Sequence, residues 1–526
     1  MTNDFVGVVL AGSSKRAKSD SKISRRRFVG ATGAGVAAGA LGGVAGARAQ
    51  SAQQTANREM RTEVVVVGAG MGGLTTAVRA QREGADVVLL EKSSERGGTM
   101  AHSEGAVWTY ESFADLRNDA PHGDPELQRT VFDTLLQVYE FYDSIGAPLG
   151  AADEGERRTR RIAPVAFTNF MVGRLESAGG KLLLETPMLR LLTNRQHEII
   201  GVLAEGPDGP LHILANAVVL ATGGFAGNAQ LVTQNITRQF GSLYQRNVAF
   251  GGLTPPLTGD GFLAASKIGA APSTGGFDAF YGHVLPARPA KFSHPLSDYS
   301  IYHGAWTVAV NLYGRRFSDE SQGRVAGRQI TRVGDHFIAQ EIARQPEATA
   351  AYIWDGPINE EHALAENNLG SLDKFDAFRQ AGAPVATADT LEELARQMEG
   401  WGRGMPAEQV LRTLSEYNQA ARNATAGKLP VPKASSRNAL PIEQPPFYAI
   451  LGTTGITATH GGLRVNSGGQ VLSTTGRPLP GLFAAGVDVG NFCNYAYLGA
   501  LCLGAVFGYL SGANAARQPE PRGGWE

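Results

Sequence analysis

Three glycines at a fixed spacing, followed by an acidic residue, are the clearest chemical signal in the sequence. Gly68, Gly70 and Gly73 follow the pattern GxGxxG, and Glu91 lies 18 residues after the last of them. In dinucleotide sites the first glycine makes a tight turn, the second lets the pyrophosphate approach the backbone, and the third lets a helix pack on a strand. An acid at this distance bonds a ribose hydroxyl pair. The spacing therefore predicts a dinucleotide site.

The segments around these residues have the pattern needed to position such a site. Residues 63–67 are nearly all valine, which is typical of a parallel strand buried on both faces. Residues 74–82 predict a helix ended by Gly84, and residues 86–90 predict a second strand. This order brings the free N–H groups and the positive dipole of the helix N-terminus to the pyrophosphate.

Later glycine-rich turns resemble the flavin-contacting loops of large FAD enzymes. The turns lie at 97–105, 221–225, 258–261 and 481–488, and the last leads into a helix predicted over 501–516. Together with a GRRF segment that ends at Glu320, their order resembles the flavoprotein superfamily of soluble fumarate reductases, succinate dehydrogenase flavoproteins and 3-ketosteroid Δ1-dehydrogenases. The resemblance covers roughly residues 62–516.

The resemblance implies an α/β fold with a discontinuous, Rossmann-like FAD-binding domain and an inserted α+β capping domain. We expect the FAD-binding domain over 62–275 and 446–516, and the capping domain over 276–445. Within the insert, a capping box that begins at Thr390 and a proline at position 406 predict the starts of two helices.

The cofactor that the resemblance implies is FAD, bound without a covalent link. The residues assigned to it are Gly68, Gly70, Gly72, Gly73, Glu91, Lys92, Gly98, Thr99, Ser103, Gly105, Met188, Ala221, Gly223, Asp260, Gly486 and Asp488. FAD carries the electron chemistry of such enzymes. The protein must therefore hold a substrate C–C bond, polarise an activating carbonyl or carboxylate, and supply an acid or a base.

Four residues are assigned catalytic roles through the same resemblance: His283, Arg324, His460 and Tyr497. His283 lies where fumarate reductases carry a substrate histidine, and Arg324 lies near their acid-relay arginine. The histidine of their HTxGG turn is replaced by Ala458, so that His460 lies in a shifted register. Their arginine before Leu-Gly-Gly is replaced by Tyr497, a position at which 3-ketosteroid dehydrogenases have a tyrosine. A site without two of its carboxylate ligands is a poor site for a dicarboxylate.

This set predicts an FAD-dependent oxidoreductase that acts on a CH–CH bond of a small molecule with one activating carbonyl or carboxylate. Three alternatives stay open: a fumarate-reductase-like enzyme for an unsaturated acid, an oxygen-using flavin oxidase, and a flavoprotein that only relays electrons. The electron partner is expected to be external, such as a quinone, a cytochrome or another redox protein. The sequence has no c-type haem motif and no cysteine set for an iron–sulfur cluster.

Composition excludes several other classes of protein. The chain has 526 residues, of which 43% are hydrophobic, so it can bury two or three cores and is not intrinsically disordered. With 48 basic and 49 acidic residues it lacks the basic excess of a nucleic-acid-binding surface. The chain has two cysteines, Cys493 and Cys502, which are too few for a disulfide framework or a four-cysteine metal site. No metal is expected.

Residues 1–49 predict a twin-arginine export signal that is separate from the fold. Ser24 and three arginines precede a weakly apolar stretch over 30–46, which ends in an A-x-A pattern at Ala47 and Ala49. The stretch is too short and too rich in glycine to span a bilayer stably. We therefore expect export by the Tat machinery to the periplasm, with no stable membrane span and no nucleic-acid partner.

Overall fold

A computed structural model describes most of the chain, and the fold is given for these residues alone. They are 58–152, 157–245, 257–294, 296–321, 334–364 and 373–525. The predicted export signal and Arg324 lie outside the described residues. Within the described ranges, no helix combines the length and the apolar character that crossing a membrane requires.

Strands and helices are numbered in chain order along the described residues. The strands are β1 (Arg58–Val67), β2 (Val87–Leu90), β3 (Ala106–Tyr110), β4 (Leu149–Ala152), β5 (Arg157–Ile162), β6 (Lys181–Leu183), β7 (Met188–Thr193), β8 (Ile199–Gly206), β9 (Gly209–Leu220), β10 (Tyr244–Gln245), β11 (Phe280–Pro286), β12 (Val308–Val310), β13 (Thr349–Trp354), β14 (Val385–Ala388), β15 (Phe447–Thr459), β16 (Gln470–Leu472) and β17 (Pro478–Ala484). The helices of seven or more residues are α1 (Met71–Arg82), α2 (Phe113–Asp119), α3 (Pro125–Ile145), α4 (Pro164–Ser177), α5 (Ala229–Asn235), α6 (Asp260–Ser266), α7 (Gly334–Ala343), α8 (Lys374–Ala381), α9 (Leu391–Met398), α10 (Ala407–Arg422) and α11 (Ala500–Ala516).

The first sheet is built around the valine-rich strand β1. Strands β6, β2, β1, β9 and β17 lie side by side and are all parallel, while β16 and the β7–β8 pair add antiparallel strands. The inner part of β1 is fully buried, as a strand covered on both faces must be. Because parallel strands end at one edge of their sheet, the turns after β1, β2, β9 and β17 meet there. The predicted α/β fold is confirmed.

Helices α1 and α11 pack closely together on the first sheet. Helix α1 begins at Met71, three residues before the predicted start, since the last glycines of the GxGxxG turn are already helical. Helix α11 approaches it through glycines spaced four residues apart at 504, 508 and 512. A Cβ on Gly508 would lie 2.6 Å from the Gly72 carbonyl oxygen, so these glycines allow the two backbones to touch.

The second sheet is organised around the long strand β15. Strand β10 pairs with it in parallel, whereas β11, β13 and β14 pair with it antiparallel, and β12 adds to β13. The predicted boundary at 445/446 falls immediately before β15, which is hydrogen-bonded within this second sheet. The domain boundaries themselves stay a prediction. A third, smaller sheet has the order β3–β5–β4.

Two helices within residues 276–445 begin where their sequences indicate. The Thr390 side chain caps α9 by accepting a hydrogen bond from the Glu393 amide at 3.2 Å. Helix α10 follows Pro406, and its side chains Val410, Leu414 and Tyr417 are buried. The helix caps and the apolar spacing could both be predicted from the sequence, because each depends on residues within one or two turns of the same helix.

A fully buried group of charges joins the segment before α7 to the chain that follows α10. Lys433 and Glu320 have no exposed side-chain surface, and the Lys433 ammonium lies 3.9 Å from the Glu320 carboxylate. Arg316 donates from Nε to the same carboxylate at 2.9 Å, and Lys433 also donates to the Thr307 carbonyl. These charges compensate one another, which is the condition for burying them at all.

Replacement of Lys433 by Met is expected to lower the free energy of unfolding by about 3 kcal/mol, because the fully buried Glu320 then loses one of its two compensating cations. Lys428→Met is the matched control, since Lys428 is exposed and its replacement should change stability by less than about 0.5 kcal/mol. Denaturant unfolding of the holoprotein measures both. Equal effects of the two substitutions would contradict the buried cluster.

Candidate active site

A cavity of about 350 Å³ lies where the turns after the parallel strands meet the second and third sheets. The residues assigned to FAD line this cavity with two exceptions, Gly73 and Asp488. Of the four assigned catalytic residues, His283 and Tyr497 line it, His460 does not, and Arg324 lies outside the described residues. The structure therefore brings most of the predicted site together, and the individual contacts with FAD stay predictions.

The GxGxxG turn leaves no room for side chains at its first and last glycines. Gly68 has a φ of 105°, and a Cβ there would lie 2.2 Å from the Ala221 carbonyl oxygen. A Cβ on Gly73 would lie 1.7 Å from the Gly68 carbonyl oxygen. Gly73 thus allows α1 to pack against the turn, which explains why it does not itself line the cavity.

Glu91 is held at the cavity wall by the backbone of the same turn. Its carboxylate accepts hydrogen bonds from the Ala69 amide at 2.8 Å and from the Ser93 amide at 2.9 Å. A carboxylate can accept about four hydrogen bonds, so these two leave capacity for ribose hydroxyls. Gly97, whose amide bonds the Ala69 carbonyl at 3.0 Å, brings the second glycine loop against the first. This glycine cradle and its acid fit the adenosine and pyrophosphate parts of FAD.

Lys92 and Asp260 face the cavity as an ion pair. The Lys92 ammonium donates to Asp260 at 2.8 Å and to the Thr258 hydroxyl at 3.2 Å. Asp488 lies behind the wall instead, where its carboxylate accepts hydrogen bonds from the amide and hydroxyl of Thr222. Burial raises the pKa of Asp488 to about 7, although the bonds from Thr222 oppose that change. Asp488 therefore shapes the turn after β9 without reaching the cavity.

A β-bulge shapes the part of the cavity that the second sheet contributes. Tyr281 of β11 pairs with Ala458 of β15, but the next residue, Gly282, pairs with Ile456, so that Thr457 is the extra residue. A bulge re-aims side chains that would otherwise alternate between the two faces. Thr457 and its neighbour Ala458 both line the cavity as a result. Thr457 was not predicted, because nothing in the sequence of β15 marks the register shift.

Tyr497 lies between aromatic side chains that come from distant parts of the chain. Its ring stacks on Tyr281 with centroids 3.7 Å apart and an angle of 10°, and its edge meets Trp108 at 6.2 Å. Its hydroxyl accepts a hydrogen bond from the Ala500 amide, at the start of α11, at 2.9 Å. Burial and the neighbouring Tyr281 raise the pKa of Tyr497 well above its usual range. The hydroxyl is therefore protonated at physiological pH and can donate a hydrogen bond.

His460 lies apart from the main cavity, beside a much smaller one that Cys493 and Tyr497 also line. Its Nδ1 is hydrogen-bonded to the Asn494 carbonyl oxygen, and a carbonyl can only accept. Nδ1 thus carries the proton, and the ring is held as the neutral tautomer. Burial lowers the pKa of His460 from its ordinary 6.5 to about 4. His460 does not line the main cavity, and its assignment as a catalytic residue stays a prediction.

The pKa of His460 makes the stability of the protein depend on pH. Between its unfolded pKa of 6.5 and its folded pKa of about 4, the unfolded chain binds a proton that the folded chain does not. The free energy of unfolding should therefore fall as the pH falls, by roughly 2 kcal/mol between pH 6.5 and pH 5.0. His460→Gln should remove this part of the dependence. Denaturant titrations of both proteins at the two pH values measure it, and parallel pH dependences would contradict it.

One face of the third sheet also lines the cavity. Ala106 pairs with Arg161 and Trp108 pairs with Thr159, and all four residues contribute to the wall. Sequence reasoning missed them, because β5 has a strongly basic sequence that resembles an exposed strand. Side chains two residues apart in a strand lie on the same face, and this alternation would have placed Thr159 and Arg161 together. Hydrophobicity gives no such indication in β5.

Neither a metal centre nor a disulfide is formed by the residues that the structure describes. No group of three or more His, Cys, Asp or Glu side chains in these ranges could hold a metal ion. Cys493 and Cys502 are both buried as free thiols.

Comparison with known proteins agrees with this geometry. The model of the family described as FAD binding domain matches residues 146–503, and that described as FAD dependent oxidoreductase matches residues 63–227. The probable fumarate reductase Ifc3 of Shewanella frigidimarina (strain NCIMB 400) is 26% identical over 487 residues, which are 87% of this chain and 75% of that protein.

Two further similarities cover nearly the whole of the proteins compared. The vinyl phenol reductase of Lactiplantibacillus plantarum is 26% identical, with 86% of this chain and 95% of that protein covered. The solved structure of 3-ketosteroid-delta4-(5alpha)-dehydrogenase from Rhodococcus jostii RHA1 superposes with a TM-score of 0.66 at 22% identity, covering 89% of this chain and 99% of the other. At that identity the structural likeness shows a shared fold.

Proposed function

Since the chain belongs to the FAD binding domain family, we propose that it adds hydrogen to, or removes it from, a CH–CH bond next to one activating carbonyl or carboxylate. The family matches confirm FAD as the cofactor and the oxidoreductase class of the enzyme. The observation that carries the proposal is that Tyr497, His283 and Thr457 line the same cavity as the FAD turns. The side chains that we assign to the substrate therefore border the cavity that binds the cofactor.

Each of these side chains has a task in such a reaction. FAD, when bound, supplies a hydride acceptor or donor. We assign the substrate carbonyl or carboxylate to the side of the cavity that His283 and Thr457 line, where polarisation would draw electron density from the reacting bond. Tyr497 holds a proton at its hydroxyl, where the Ala500 amide fixes the oxygen. The aromatic rings around it limit the access of water.

The relatives support the class of reaction rather than a particular substrate. Two of them are named for the reduction of fumarate and of vinyl phenols, and the third for a delta4 dehydrogenation of 3-ketosteroids. Because identity to each is low, the substrate follows from the side chains that line the cavity of this chain.

An anaerobic screen of flavin absorbance tests the proposal. Oxidised holoenzyme is mixed with saturated ketones and acids, and reduced holoenzyme with the corresponding enones and enoates. Bleaching by a saturated compound, or reoxidation by its unsaturated partner, is the expected result. If neither occurs across the panel while a redox protein exchanges electrons rapidly, the chain relays electrons and the proposal is wrong.

The electron partner is proposed to be a separate quinone, cytochrome or other redox protein. Turnover with an artificial acceptor or a reduced viologen, and none in its absence, is the expected result. Release of peroxide under air without an added acceptor would indicate an oxidase instead.

Export by the twin-arginine route to the periplasm is proposed from the sequence of the first 49 residues. Substitution of both Arg25 and Arg26 by Lys should keep the protein in the cytoplasmic fraction. Substitution of the adjacent Arg27 by Lys provides a matched control and should leave export unchanged. Equal export of both variants would exclude this route.

A further inference from the structure

The loop that carries Tyr497, residues 491–499 before helix α11, has two asparagines in the left-handed backbone conformation. The φ angles of Asn491 and Asn494 are 63° and 54°. Asparagine is one of the few residues besides glycine that adopts this conformation readily, and it persists where the surrounding contacts hold it. The contacts at these two residues therefore set the course of the loop toward Tyr497, three residues after Asn494.

His460 contacts the loop at both of these asparagines. Its Nδ1–H donates to the Asn494 carbonyl oxygen, and its own carbonyl oxygen accepts from the Asn491 amide at 2.7 Å. The Asn494 side chain joins the two ends by donating to the Asn491 side-chain oxygen at 2.9 Å. All three residues are buried. A buried carbonyl that loses its donor pays for its desolvation without a hydrogen bond in return, so the bond from Nδ1 matters for the shape of the loop.

The same histidine is tied to the strand that carries Tyr281. The His460 amide donates to the Ala279 carbonyl oxygen at 3.1 Å, and β11 begins one residue later. Tyr281 and Tyr497 stack with their ring centroids 3.7 Å apart, although they come from distant parts of the chain. His460 therefore lies where the backbone supports of both rings meet.

The Tyr497 hydroxyl is held from two sides as a result. The Ala500 amide donates to it at 2.9 Å, and the loop fixes the backbone behind the ring. A displacement of a reacting group by about 1 Å can cost about 100-fold in rate. A hydrogen bond behind the cavity can thus affect the reaction without touching the substrate or FAD.

We propose that His460 is a positioning residue, which holds the Tyr497 hydroxyl in place through the Asn494 carbonyl. The inference rests on the proposed function, because it concerns the reaction assigned to the same cavity. Only the Nδ1–H of the ring takes part, and no contact between His460 and a ligand is required. This role differs from the catalytic one that the resemblance assigns, in which the imidazole would touch the substrate.

Two substitutions of His460 test the hydrogen bond from Nδ1. His460→Leu removes the N–H but keeps a side chain of similar size. With the compound selected in the anaerobic screen, kcat should fall by about tenfold or more, whereas KM and flavin content should stay within about twofold. His460→Asn puts an amide nitrogen at the position of Nδ1 and should restore most of kcat. If the Asn variant is as slow as the Leu variant, the inference is wrong.

A double-mutant cycle separates positioning from a general effect on the fold. If His460 acts through the Tyr497 hydroxyl, His460→Leu should change the rate of Tyr497→Phe by less than about twofold. A further tenfold loss in that background would contradict the inference. Asn418→Leu is the matched control, because buried Asn418 donates to the Ile442 carbonyl at 2.7 Å and does not line the cavity. It should leave kcat unchanged.

A readout without turnover distinguishes this inference from the proposed function. The tyrosines of the holoprotein are replaced by 3-fluorotyrosine, and the fluorine resonance of Tyr497 is identified by its absence in Tyr497→Phe. His460→Leu should shift this resonance and leave that of the exposed Tyr313 unchanged. If the Tyr497 resonance does not move, the inference fails whatever the reaction. If it moves but the unchanged protein turns over no compound of the panel, the positioning stands and the proposed reaction fails.

Discussion

Gly73→Ala is expected to weaken FAD binding by at least about 100-fold, so that the purified protein contains little flavin. The new Cβ would lie 1.7 Å from the Gly68 carbonyl oxygen and 3.4 Å from a methyl group of Val66. The new Cβ would clash with backbone atoms of Gly68, which cannot rotate away as a side chain can. The clash can therefore be relieved only if α1 moves away from β1. That movement takes the N-terminal amides of α1 away from the pyrophosphate, and the loss of two good charge-assisted hydrogen bonds already accounts for a 100-fold change.

The helix α4 offers a matched control for this prediction. Gly173 is also helical, but a Cβ there would meet no atom within 4 Å. Gly173→Ala should keep full flavin content and raise the free energy of unfolding by about 0.5 to 1 kcal/mol, because alanine favours the helix. Flavin absorbance per mole of protein and titration of the apoprotein with FAD measure both variants. Full flavin content in Gly73→Ala would contradict the close packing of α1 on the turn.

Tyr497→Phe is expected to lower turnover by about 100-fold or more while leaving substrate binding nearly unchanged. Phenylalanine keeps the ring that stacks on Tyr281, so this contact is retained. It lacks the hydroxyl that the Ala500 amide positions at 2.9 Å and that holds a proton at neutral pH. Removal of a positioned acid or base typically costs between about 100-fold and 10,000-fold in rate. The predicted change is therefore in kcat and its pH profile rather than in affinity.

Tyr495, two residues away, provides the matched control. Its hydroxyl is bonded to Asp278 and it does not line the cavity. Tyr495→Phe should turn over like the unchanged protein. The measurement is the rate of flavin reduction or reoxidation with the compound selected in the anaerobic screen, over a range of pH. If Tyr495→Phe loses activity and Tyr497→Phe keeps it, the assignment of the acid to Tyr497 is wrong.

The cofactor site was largely predictable because its signals are local. The spacing from Gly68 to Gly73 predicts the turn, a Cβ on Gly73 would meet the Gly68 carbonyl oxygen within that turn, and Glu91 follows directly after β2. The carboxyl ends of parallel strands then bring the distant turns near Ala221 and Gly486 to the same edge by a general property of the fold. Asp488 shows the limit of this reasoning. It lies in a flavin turn, yet its carboxylate faces the Thr222 amide rather than the cavity.

The substrate side was predictable only in part. His283 and Tyr497 line the cavity as expected, whereas His460, one short turn from Ala458, lies behind the wall with its Nδ1 bonded to a backbone carbonyl. Thr457 of β15 lines the cavity instead. The difference depends on the register of β11 against β15, where one bulge decides which side chains share a face. The pattern of apolar residues in β15 does not encode that shift, since nearly every residue of the strand is buried.

The amino-acid sequence by itself determined the class of cofactor, the α/β arrangement around it, and the limits of most helices that were predicted. Those properties depend on turns, caps and periodicities that span a few residues. Only the tertiary structure decided which groups meet beside that cofactor site. Trp108, Tyr281 and Thr457 come from two sheets and Tyr497 from the loop before α11, and their approach depends on strand pairing and packing between distant segments. The reaction class could thus be predicted from short motifs, but the shape and polarity that select a substrate could not.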